Sequence, residues 1–115
     1  MSVRLHGYGF PRSVEEVAKP ILDTLDPAAT GAFAKRLAQF ALEVVSQIEG
    51  GRLLPKEGDQ YFTLIDLYIT DHFRDLDLGQ DLKDLIFEGM ILHDYGKEYG
   101  ANLAAMKSLA LKILR

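Results

Sequence analysis

Along most of this chain the apolar residues recur every three or four positions, and nowhere does an alternation with a period of two run for long, so the spacing predicts helices. Val14, Val17, Ala18, Ile21, Leu22 and Leu25 make the first stripe, opened by Ser13 and Glu16 at the spacing of a capping box. Pro20 inside that stripe predicts a kink or a division of the helix. Asp26-Pro27 repeats a start signal, an N-cap acceptor followed by a proline suited to a first helical turn, and a long second helix is expected to begin near it. Its apolar face is Phe33, Leu37, Phe40, Ala41, Val44, Val45 and Ile48, with Lys35, Arg36, Gln39, Glu43 and Gln47 mostly elsewhere. Gly50-Gly51 ends it.

After a connection over residues 55–58, a third helix is predicted from about Asp59 to Arg74, with Tyr61, Ile65, Tyr68, Ile69, His72 and Leu76 on one side and Phe62 and Phe73 widening that face. A linker over 75–80 leads to a fourth segment. There Leu82, Leu85, Ile86, Phe87, Met90, Ile91 and Leu92 are apolar nearly all round, the pattern of a central, buried helix. Gly96 is placed to stop it in the left-handed conformation that glycine reaches cheaply. A last helix, begun at Gly100 or Asn102, turns Leu103, Met106, Leu109, Ala110, Ile113 and Leu114 inward and Lys107 and Lys112 outward. Ahead of all this, the two glycines and the proline of Gly7-Tyr8-Gly9-Phe10-Pro11 predict an extended arm. The expected fold is all-α: a single compact bundle of about five helices over residues 13–115, preceded by an arm over 1–12.

Composition narrows the partners. At 115 residues, 48% hydrophobic and 26% charged, the chain has room for one domain with one core. A net charge of −4 argues against a nucleic-acid backbone or an anionic membrane surface, both of which call for surplus Lys and Arg. The absence of cysteine excludes disulfides, thiolate metal sites and thiol nucleophiles. The longest apolar run is four residues, Leu103 to Met106, and charged residues stand where a signal peptide has its apolar core, so a cytoplasmic protein is expected.

The sharpest chemical feature is Ile91-Leu92-His93-Asp94-Tyr95-Gly96-Lys97, which places two metal-ligating side chains together at the end of an apolar run. Its His-Asp-x-Gly-Lys core, with the apolar lead-in Met90-Ile91-Leu92, resembles the signature of the HD-domain superfamily of all-helical, metal-dependent phosphohydrolases. In that family a histidine on an earlier helix, the adjacent His and Asp, and a later Asp hold one or two divalent metals. The resemblance therefore implies a metal set of His72, His93 and Asp94, with Lys97 placed to hold a phosphate oxygen. Two imidazoles and a carboxylate suit Mn²⁺, Fe²⁺, Ni²⁺ or Zn²⁺, and an open position on such an ion lowers the pKa of bound water. His72 shares a helix face with Ile65, Tyr68 and Ile69 and is expected to point toward the core; His93 follows Leu82, Ile86 and Gly89 in the same way. Two departures weaken the match: no aspartate follows Asp94, so Asp66, Asp71 or Asp75 would have to substitute, and Tyr95 stands where the family has a smaller aliphatic residue.

Two weaker features complete the survey. Asp75-Leu76-Asp77-Leu78-Gly79 looks like the start of a calcium loop, but Gly79 and Ile86 occupy the fifth and twelfth positions, where that loop needs oxygen ligands; Asp77 and Asp81 read instead as caps for the fourth helix. The arm's Tyr8 and Phe10 either dock on a neighbouring molecule or fold over their own bundle. There is no phosphate-binding glycine loop, zinc-protease double histidine, nucleophile elbow or basic recognition helix. Most of the chain reads as core plus solvated faces. The function expected is that of a small non-enzymatic module, self-associating as a homo-oligomer or engaging a protein partner, with no cofactor, nucleic acid or membrane. The alternative is a shortened HD-like protein that binds a divalent transition metal and hydrolyses a phosphoester.

Overall fold

The computed structural model describes residues 14–92 and 100–115. Among these, every regular element is a helix: α1 (Val14–Leu22), α2 (Gly31–Glu49), α3 (Pro55–His72), α4 (Gln80–Met90) and α5 (Gly100–Leu114). The radius of gyration, 13.2 Å, is that of one packed domain, for which roughly 13 Å is usual at about 100 residues. The all-α single bundle is thus the fold. The N-terminal arm and the Gly96 stop lie outside the described residues.

Its centre is α2, which alone packs against all four other helices. Phe33, Leu37, Phe40, Ala41, Val44, Val45 and Ile48 are all buried, as the stripe predicts. The Phe40 ring meets Tyr61 edge-on at 5.7 Å and Phe62 at 5.6 Å, joining α2 to α3 through aromatic contacts. The end of α2 follows from Gly51, whose φ of +74° lets the chain reverse. The Arg52 N–H then donates to Gln47 O at 2.9 Å and the Gly51 N–H to Ile48 O at 3.0 Å, a Schellman pair that satisfies the last carbonyls. Gln47 is buried here, its Oε1 accepting from Arg52 Nε at 3.2 Å.

The helix starts differ from expectation for local reasons. Asp26-Pro27 forms a turn, with Asp26 Oδ1 accepting the Ala28 N–H at 2.9 Å, and α2 begins only at Gly31. Pro55 opens α3 at its first position, and Glu57 reaches back to the Leu54 N–H at 2.9 Å, so the helix starts before Asp59. Pro20 does not divide the first helix: α1 runs through it and ends two residues later, where Thr24 Oγ1 donates to Ile21 O at 2.6 Å.

Two glycines set how closely the helices approach. A Cβ on Gly58 would lie 3.1 Å from Val44 and 3.3 Å from Leu92, so α3 rests directly on α2 and on the end of the α4 segment. A Cβ on Gly89 would overlap the Phe62 ring, which lies flat against the α4 backbone. From there α5 closes the bundle: buried Asn102 donates through Nδ2 to Glu88 O at 2.9 Å and Glu88 Oε1 at 2.6 Å, tying its start to α4. Lys107 pairs with Glu49 at 3.5 Å and Lys112 with Asp81 at 3.3 Å, on the outward face expected of both lysines.

Candidate functional site

The α3–α4 hairpin carries what the fold leaves unused. Its connection is fixed by short-range contacts: the Phe73 N–H donates to Ile69 O at 2.8 Å, the Leu76 N–H to Phe73 O at 2.9 Å, and Asp77 Oδ1 accepts the Gly79 N–H at 2.9 Å. The Gly79 hydrogen bond, reinforced by the Lys83 ammonium 3.6 Å away, holds the Asp77 carboxyl below its ordinary value. Gly79, at φ +83°, then turns the chain into α4, and neither Asp77 nor Asp81 is the N-cap foreseen from the sequence. Asp77 stabilises the turn before the helix, and Asp81 reaches across to Lys112.

Between the two helices this connection leaves an open groove of about 350 Å³. Ile69 and Phe73 line it from the α3 side, Leu76 and Leu78 from the connection, and Phe87 and Met90 from α4, while Asp66, Arg74 and Lys83 stand at its rim. Phe87, part of that lining, is 56% exposed. A large aromatic side chain left exposed in a concave surface, with charged residues beside it, is the form of an interaction site.

The sequence stripe had put Phe87 in the core and α4 at the centre. The buried residues of α4 are Leu82, Leu85, Ile86 and Gly89, one stripe, and Phe87 lies about 140° round the helix from Leu82. That register was the available signal, obscured by the run of apolar residues beside it. Asp66 and Arg74 have no partner among the described residues, and nothing in their sequence context marked them together.

Of the predicted metal set, His93, Asp94 and Lys97 lie outside the described residues. His72 does not face the core: it is exposed on the last turn of α3, stacked on Tyr68 with 4.2 Å between ring centroids, its Nδ1 3.0 Å from Tyr68 O. Ile69 is the last buried residue of α3, so a face continuous in the sequence runs past the end of the bundle before it reaches His72. Leu92, the last described residue before the His-Asp motif, packs against Gly58 near the opposite end of α3. Fourteen residues of helix separate Gly58 from His72, about 21 Å of axial rise. Asp71 and Asp75 are exposed and Asp66 stands at the groove; among the described residues no three His, Asp or Glu side chains converge on a metal-sized space. Likewise no helix among them is long and apolar enough to cross a membrane.

Compared with models of known protein families, with curated proteins and with solved structures, the chain matches none.

Proposed function

We propose that this chain is a non-enzymatic helical module that works by docking protein through the α3–α4 groove. The observation that carries this reading is Phe87, a large aromatic residue left 56% exposed beside the apolar groove although α4 has a complete buried stripe without it. Burying such a side chain against a partner is worth about 1.5–3 kcal/mol, and aromatic anchors of this kind dominate the energetics of protein interfaces. The HD-like alternative has less support: His72, the ligand it draws from α3, is exposed on the last turn of that helix with its ring stacked on Tyr68.

Site-specific photo-crosslinking tests the docking reading. Phe87→p-benzoylphenylalanine, irradiated in the producing cell, should join the chain to protein, whereas the same probe at exposed Lys35 on α2 should not. Equal yields from the two positions would overturn the groove as the working surface. The alternative is tested by heating the chain with Mn²⁺ or Ni²⁺: an ion bound only by the folded state raises the melting temperature, and Asp94→Ala would remove that rise. The docking reading expects no shift.

A further inference from the structure

A second groove, of about 300 Å³, lies between α1 and α3. Leu22 of α1 and Leu64 and Tyr68 of α3 give it a mostly apolar lining, which Glu15, Lys19 and Asp23 complete. Lys19 is engaged with Asp23 at 3.0 Å, whereas Glu15 is exposed and pairs with no cation among the described residues. The groove therefore offers apolar surface with a surplus of negative charge. Residues 1–13, which lead into α1, have the opposite character: Arg4 and Arg12, no carboxylate, and the apolar Val3, Leu5, Tyr8 and Phe10, in a chain whose net charge is −4. We infer that the α1–α3 groove docks residues 1–13 of its own chain, with Tyr8 and Phe10 against Leu22, Leu64 and Tyr68 and the arginines toward Glu15 and Asp23.

Three features agree with that occupant. The first is connection: α1 begins at Val14, and the next residue, Glu15, already lines the groove. Phe10 stands four residues ahead of Val14, a reach of about 13 Å in extended chain, while α1 rises only about 10 Å from Glu15 to Leu22. Gly9 and Pro11 are turn-forming residues where the chain would have to fold back along the helix. The second is spacing. Tyr8 and Phe10 share one side of an extended segment about 7 Å apart, and Leu64 and Tyr68 follow each other on α3 with a rise of about 6 Å. The third is charge, since a segment with two arginines and no carboxylate meets a rim with an unpaired glutamate. The inference is independent of the α3–α4 reading: it covers one groove from within the chain and leaves the other for a partner.

Nuclear magnetic resonance of the full chain tests it directly. The methyl groups of Leu22 and Leu64 should show nuclear Overhauser effects to the ring protons of Tyr8 or Phe10. In Tyr8→Ser/Phe10→Ser those contacts should be lost and the two leucines' methyl resonances should shift, with an unchanged circular-dichroism spectrum, since neither substitution touches the bundle's core. Arg4→Glu/Arg12→Glu places like charges at Glu15 and Asp23 and should shift the same resonances in the same direction. Absence of the ring contacts, or leucine resonances unmoved by Tyr8→Ser/Phe10→Ser, would overturn the inference. Resonances unmoved by Arg4→Glu/Arg12→Glu would overturn it as well, because the charge match selects this occupant. In a mixture of labelled and unlabelled chains, the contacts should arise only within a chain; contacts between a labelled and an unlabelled chain would show that a second copy supplies the segment and would overturn docking within one chain.

Discussion

Two helical regions of this bundle use their apolar residues differently. On α2 every member of the predicted stripe is buried and contributes to the core, and the helix ends in a glycine-based cap that satisfies its carbonyls. On the α3–α4 hairpin, Phe87 stands exposed in the lining of a groove, and two charged residues of that lining, Asp66 and Arg74, lack partners among the described residues. Folding accounts fully for the first region and only partly for the second. Apolar exposure is ordinary when scattered; gathered at a concave surface it marks a place where something binds.

If that contrast is right, substitutions in the two regions should separate stability from association. The largest loss should come from Phe40→Ala, which empties the aromatic contact between α2 and α3 and should cost about 3–5 kcal/mol by denaturant unfolding. Next comes Gly89→Ala, where the added methyl group overlaps the Phe62 ring; about 1–3 kcal/mol is expected, with partial recovery in the double variant Gly89→Ala/Phe62→Leu. Phe87→Asp should change monomer stability by no more than about 0.5 kcal/mol when unfolding is followed at high dilution, although Phe87 is as large as Phe40. A loss from Phe87→Asp comparable to that from Phe40→Ala would erase the distinction between core and docking surface.

The smallest effect concerns pH. Asp77 is ionised in the folded state to lower pH than in the unfolded chain, because the Gly79 N–H and Lys83 favour its charged form. Its contribution is therefore complete above its ordinary value of 3.8 and is lost as pH falls through the lower folded value. Asp77→Asn keeps an oxygen for Gly79 and removes the titration, so the parent should lose stability slightly more steeply than the variant below pH 3.8. The side chain is fully exposed, so solvent screening keeps the difference small. Identical slopes in acid melts would show that the turn does not depend on this charge.

The candidate site was legible only in part. Ile69, Phe73, Leu76 and Met90 were recognisable as apolar, and Asp66 was named as a carboxylate, but the sequence suggested a metal for it and a core for Phe87. The groove depends on how far α4 diverges from α3 after a seven-residue connection, a distance that no periodicity encodes. His72 shows the same limitation: its spacing from Ile65 and Ile69 puts it on the buried face, but α3 extends past the helices that cover that face.

What the sequence determined by itself is local. Five helices, the α2 stripe, the Gly50-Gly51 stop and the outward lysines of α5 follow from spacing, capping and the conformational freedom of glycine, all of which act within a few residues. What only the tertiary structure decided is relational: that α2 rather than α4 is the centre, that Gly58 and Gly89 are contact points, that His72 is exposed, and that Phe87 borders a groove with Asp66 and Arg74 at its rim. A helix's own period defines which residues share a face. Which of those faces is covered depends on the neighbours, and their placement is set by packing across the whole bundle.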